Sequence, residues 1–172
     1  NPHSVTAEQI GVTGGDGGGA SSLLQYHPIW YSADSTKIPG LGSGGGKWYG
    51  GVLGPDGKIY GIPDMSESVL IIDPVAKTAD TTTITGLTGG SKWCGGVLGP
   101  DGRIYGIPSM SESVLIIDPV AKTADTTTIT GLVDGGWQGG VLGPDGRIYG
   151  IGNSESVLII DPVAKTADTT TI

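Results

Sequence analysis

Four kinds of carboxylate recur along the chain, and carboxylates are the side chains here best suited to acid–base work. Asp56, Asp101 and Asp145 sit in Pro-Asp-Gly triplets, and Glu67, Glu112 and Glu155 in Ser-Glu-Ser loops. Asp73, Asp118 and Asp161 precede prolines, while Asp80, Asp125 and Asp168 precede threonine runs. General acid–base catalysis needs two groups held in different environments, whereas identical copies give a ring of equal groups. The two histidines, His3 and His27, lie outside the full repeats, so no Ser-His-Asp set can be built. His3 has no neighbouring partner with which to hold a metal, and a backbone-bonded structural role suits it better. His27 aligns with Asp73, a turn-capping position. Cys94 is the single cysteine and its counterparts are Tyr49 and Gln138, so neither a disulfide framework nor repeated thiol chemistry is expected. The reading is non-enzymatic, with no catalytic residue, metal or cofactor.

Binding chemistry is better represented. Trp48, Trp93 and Trp137 recur at steps of 45 and then 44 residues. A tryptophan ring, flat and apolar with a polar edge, is a natural platform for sugar stacking, and equally a wedge between packed units. The copies differ at Tyr49/Cys94/Gln138, at Asp64-Met65/Ser109-Met110/Asn153, and at Thr88-Gly89-Gly90-Ser91 against Val133-Asp134-Gly135-Gly136. Loops on a rigid scaffold are where binding is built. The candidate ligand-binding residues are therefore Trp48, Trp93, Trp137, Tyr49 and Gln138.

What must position these residues is a repeat. Ser68 to Leu87, SVLIIDPVAKTADTTTITGL, returns letter for letter at Ser113 to Leu132, and its first 17 residues return at Ser156 to Ile172. A period of about 45 residues without an amphipathic helical pattern matches propeller blades, not helical solenoids. Four strands per unit are expected. Gly51–Leu53 is followed by the Pro55-Asp56-Gly57 turn and by Lys58–Ile62. Ser68–Ile72 is the third, halted at Asp73-Pro74 because proline cannot donate to a ladder. Ala79–Ile84, with its threonine run, is the fourth. Four antiparallel strands repeated radially make an all-β propeller. The text Pro55-Asp56-Gly57-Lys58-Ile59-Tyr60 with Val69-Leu70-Ile71-Ile72-Asp73-Pro74 also resembles a family of bacterial propellers whose blades read PDG-x-x-Y and then V-x-V-I-D-P.

The expected division is a segment 1–22 that includes a glycine-rich linker, a half blade 23–46, and blades 47–91, 92–136 and 137–172. The half blade rests on His27 to Leu41, which aligns without a gap on Asp73 to Leu87. Three and a half blades fall short of the usual four to eight. The expectation is a propeller left incomplete in this chain by a polypeptide that continues past Ile172, in preference to several chains pooling their blades.

The opening residues Asn1-Pro2-His3-Ser4-Val5-Thr6-Ala7-Glu8-Gln9-Ile10-Gly11 resemble an N-P-H-x-V-T-x-x-Q-I/V-G element of bacteriophage tail-fibre and receptor-binding proteins. That resemblance implies a virion or extracellular adhesion device, with other copies of itself (a homotrimer), other virion proteins and host cell-surface glycan as partners. A spacer, a decoration, or a designed or recently amplified propeller without a ligand is the other reading. A net charge of −8 argues against nucleic acid, since phosphate binding needs clustered Lys or Arg. No apolar run of about 18 residues exists to insert in a membrane as a helix.

Overall fold

A computed structural model of the chain describes residues 38–133 and 135–170. All regular structure there is strand. The first sheet holds β1 (Trp48–Leu53), β2 (Ile59–Pro63), β3 (Leu70–Asp73) and β4 (Thr78–Asp80). The second holds β5 (Trp93–Leu98), β6 (Ile104–Pro108), β7 (Leu115–Asp118) and β8 (Thr123–Asp125). The third holds β9 (Trp137–Leu142), β10 (Ile148–Gly152), β11 (Leu158–Asp161) and β12 (Thr166–Asp168). Each sheet is an antiparallel meander in sequence order. The Pro-Asp-Gly turn closes the first hairpin: Gly57 takes φ +76, and the Gly54 amide donates to the Lys58 carbonyl at 2.8 Å. The fainter copy proposed at 23–46 lies outside the described residues as far as Lys37, as do His3, His27 and the opening element.

The strands alternate with period two, but both faces are apolar, so each sheet needs cover on both sides. The cores accordingly lie between blades. Blade one turns Val52, Tyr60, Ile62, Val69 and Ile71 forward to meet Trp93, Ile104, Leu115 and Ile117 of blade two. Blade two turns Val97, Tyr105, Ile107, Val114 and Ile116 forward to meet Trp137, Ile148, Leu158 and Ile160 of blade three. Each blade thus has a forward set and a rear set of side chains. The first strands β1, β5 and β9 pack side by side.

The fourth strand is shorter than the threonine run suggests. Ala79–Ile84 was the expectation; only Thr78–Asp80 is strand, and residues 81–84 bend. Asp80 is the cause. Its carboxylate accepts from the Thr82 amide at 2.7 Å, the Thr83 amide at 3.1 Å and the Thr82 hydroxyl at 2.9 Å, and from the Thr83 hydroxyl as well. Side-chain capping of this kind competes directly with the ladder. The chain then rejoins the sheet edge through a single bridge, Ser68 to Thr85.

Those bonds have a pH signature. The Thr83 hydroxyl, followed by the Thr82 amide, holds the Asp80 carboxyl down at about 2, and Thr128 and Thr127 do the same to Asp125. A carboxylate with a depressed folded-state pKa contributes stability that is complete above its unfolded value, about 3.9, and is lost as pH falls through the folded value. The urea midpoint should therefore drop as pH falls from about 4 toward 2. The Asp80→Asn/Asp125→Asn double variant should show a flatter drop. An equal slope in wild type and variant would count against the capping account.

Candidate functional site

The positions at which the copies differ meet on one side of the blades. The crossing from blade one to blade two is clamped between two loops. The Lys92 amide donates to the Asp64 carbonyl at 3.3 Å, while the Ser109 and Met110 amides donate to the Lys92 and Ser91 carbonyls, each at 2.9 Å. Met65 lies against it, its sulfur 3.3 Å from the Ser91 amide. Between this crossing and the second blade's loop runs a groove of about 320 Å³, lined by Gly86 to Gly90, Lys92, Trp93, Met110, Ser111, Ser113 and Thr126. One blade on, Gly135, Asn153, Ser154, Glu155 and Ser156 line a second groove of about 360 Å³. Backbone amides, carbonyls and short hydroxyls dominate both.

Trp93 and Trp137 are not the platforms that sugar stacking requires. Trp93 is 3% and Trp137 0% exposed, each wedged into the core formed with the preceding blade. Their indole N–H groups donate to the Ser113 and Ser156 carbonyls at 2.7 and 2.8 Å, which fixes each ring edge-on to its own blade. Trp48 donates likewise to Ser68 at 2.8 Å and is half-buried. Burial of the ring faces leaves a sugar nothing to stack on, so the wedge role holds for Trp93 and Trp137. Tyr49 and Gln138 are exposed. Cys94 is buried and points its thiol at the Gln138 carbonyl, 3.4 Å away, and burial pushes its pKa up, away from the reactive thiolate.

Lys92 is the residue on this side that the sequence reading missed. It is 5% exposed, and its ammonium donates to the Asp64, Ser66 and Gly89 carbonyls at 2.7, 3.0 and 2.7 Å. Burial lowers its pKa, and the carbonyl cage satisfies the charge without a carboxylate in direct contact. At the next crossing its place is taken by Gly136, whose amide bonds the Ser109 carbonyl directly. Part of the variation on this side is therefore two ways of sealing a seam.

Each seam carries a second repeated device on its other side. Tyr60 donates its hydroxyl to Asp56 at 2.8 Å, and Lys122 of the following blade reaches back to Asp56 at 2.7 Å and to the same hydroxyl. Lys165 does the same to Asp101, at 2.7 Å, and to Tyr105. Both lysines take a left-handed backbone, φ +56, at the end of the Asp-Pro-Val-Ala-Lys turn. Burial would raise the Asp56 pKa, but the bonds from Lys122 and Tyr60 outweigh it and hold the carboxyl below its ordinary value. Arg103 and Lys58 pair with Asp118 at 3.3 Å and Asp73 at 2.8 Å. The repeated aspartates are thus occupied by turn capping and by bridges within and between blades.

Solved structures share this arrangement of sheets. One is hydrazine synthase from Kuenenia stuttgartiensis, with a TM-score of 0.55 and 20% identity over 72% of this chain and 35% of that one. Another is a catalytically inactive virginiamycin B lyase from Staphylococcus aureus with quinupristin, with a TM-score of 0.62 and 15% identity over 77% of this chain and 43% of that one. A third is an auxiliary nutrient binding protein from Bacteroides ovatus, with a TM-score of 0.52 and 14% identity over 70% and 30%. The fold is a β-propeller. The chain spans less than half the length of each of these neighbours. Propellers of this arrangement include enzymes and binding proteins, so the likeness establishes architecture alone. No protein-family model matches the sequence, and no curated protein matches it. Among the described residues of this propeller no three His, Cys, Asp or Glu side chains gather as a metal site would require, and no helix is long and apolar enough to cross a membrane.

Proposed function

We propose that this propeller is a non-catalytic adhesion module of the virion tail-fibre type, offering shallow repeated grooves for weak, multivalent binding of host-surface glycan. The observation that carries the reading is that the variable positions lie at the two grooves of one side, whereas the grooves of about 300 and 360 Å³ at the Asp73 and Asp118 turns of the other side are lined by residues that repeat, Lys58 and Arg103 apart. The lining supports the ligand class. Backbone amides and carbonyls with Ser111, Ser113 and Thr126 suit a hydroxyl-rich ligand better than an apolar one. The opening Asn1–Gly11 element supplies the virion context, and several weak grooves on one particle would gain avidity without a strong site. The nutrient-binding neighbour has this architecture, which is compatible with a binding role.

A glycan array probed with the full chain tests it. Binding to a limited set of glycans is expected, reduced about tenfold or more by Thr88→Asp with Met110→Asp, two exposed groove residues whose change leaves the cores intact. Binding unaffected by the pair, or no binding to any glycan, would leave the spacer role as the better account. The buried tryptophans favour that second reading, because they remove the most familiar sugar platform.

A further inference from the structure

Among the described residues, both halves of one blade-to-blade interface lack a partner blade. Two of the forward side chains that blades one and two bury against their successors are exposed on blade three, and Tyr149 and Val157 are half-buried there. Ile62 and Ile107 are 0% exposed, but Ile151, at the same place in the motif, is 60%; Val97 is 8% and Val141 is 55%. On blade one the rear set is covered less than on its successors: Trp48, Ile59 and Ile72 are half-buried, though Leu70 is buried. Ile104 and Ile148 are fully buried whereas Ile59 is half-buried, and Leu53 is exposed where Leu98 packs into a core.

Charge follows the same division. Blade three has the Asp145–Tyr149 pair, at 2.8 Å, with the geometry of Asp56–Tyr60 and Asp101–Tyr105, and among the described residues no lysine reaches it. Blade one has Lys77 with the same left-handed backbone, φ 55, as Lys122 and Lys165, and among the described residues it has no carboxylate partner. An unfinished acceptor and an unused donor therefore lie at opposite ends of the stack, each matching the other in residue type and in backbone.

We propose that a second copy of this chain docks head to tail on blade three, its Lys77 completing the Asp145–Tyr149 site while its Leu53 and Ile59 cover Val141 and Ile151. The occupant is a second copy because this chain itself holds both halves, apolar and charged, of an interface it already builds twice. Such a contact is heterologous and repeats until it closes. Counting only the blades of the described residues, with the segment 23–46 outside that count, two copies joined at both seams put six blades in the ring, within the usual range of four to eight.

The test is the mass of the full chain in solution, by analytical ultracentrifugation across a concentration series. The expected particle is twice the 17.3 kDa chain. Asp145→Lys and Lys77→Asp, each placing like charges across both seams, should each weaken association about tenfold or more. An equimolar mixture of the two variants should restore it, because every seam of the mixed ring then pairs opposite charges. Circular dichroism confirms that each variant is folded, and both changes are at exposed turns. A monomer at every concentration, as a continuing polypeptide covering blade three would give, overturns the proposal. So does a dimer indifferent to both charge reversals.

Discussion

Ile107→Ala is expected to lower the free energy of unfolding by about 2–5 kcal/mol, and Ile151→Ala by about 0.5 kcal/mol. The two isoleucines share the motif Arg-Ile-Tyr-Gly-Ile, so local sequence and strand propensity cancel in the comparison. What differs is the neighbour. Ile107 is 0% exposed in the core shared with Trp137, Ile148 and Leu158, whereas Ile151 is 60% exposed. Truncating the first opens a cavity in a packed seam; truncating the second removes atoms that water already reaches. Urea unfolding of both variants at low protein concentration gives the comparison. Equal costs would mean that the blades do not share cores as described. The same pair also reports on self-association: if a second copy covers blade three, the cost of Ile151→Ala should grow as protein concentration rises, through the mass action of a ligand that binds only the folded state.

The architecture was legible because the 45-residue period, the Pro-Asp-Gly turns and the Asp-Pro stops each constrain the same four-stranded unit. Strand four was misjudged because β-propensity of threonines was weighed without the Asp80 side chain, which offers their amides a nearer partner than the ladder does. The tryptophans stayed ambiguous for a physical reason: a ring that wedges between blades and a ring that stacks on a sugar have the same flat apolar shape, and burial alone separates them. Lys92 recurs as Lys47, each directly before a tryptophan, and gives way to Gly136 where the crossing is one residue shorter, but neither fact marks a buried ammonium. A buried lysine caged by carbonyls leaves no complementary carboxylate in the sequence to find. The clasp of Lys122 on Asp56 and Tyr60 joins residues 66 and 62 apart, so it was invisible as a local motif. Its trace was the recurrence of the Asp, Tyr and Lys in every unit, of which only the aspartate was assigned a place, in the Pro-Asp-Gly turn.

The repeated Trp-x-Gly-Gly points to the second large effect. Gly95→Ala is expected to cost about 2–4 kcal/mol, combining roughly 1–2 for a left-handed backbone with roughly 1–2 for overpacking. Gly95 has φ +74 and stands at the irregularity where β5 slips register against β6 between Trp93 and Gly96. A methyl group there would come within 3.3 Å of the Gly139 Cα on the next blade. Backbone, not a movable side chain, is what it meets, so relief would require the two inner strands to part. Gly50 repeats the geometry against Gly95, with φ +75 and 3.2 Å. Gly139 does not: its φ lies outside the left-handed region and nothing lies within 4 Å of the added carbon, so Gly139→Ala should cost under about 1 kcal/mol. Thermal and urea unfolding of the two variants decide the matter. A Gly95→Ala protein as stable as Gly139→Ala would show that close approach of the inner strands is not what requires glycine at this position. A large difference would establish that the Gly of Trp-x-Gly sets how tightly neighbouring blades can converge, and with it the seam against which Trp93 and Trp137 are buried.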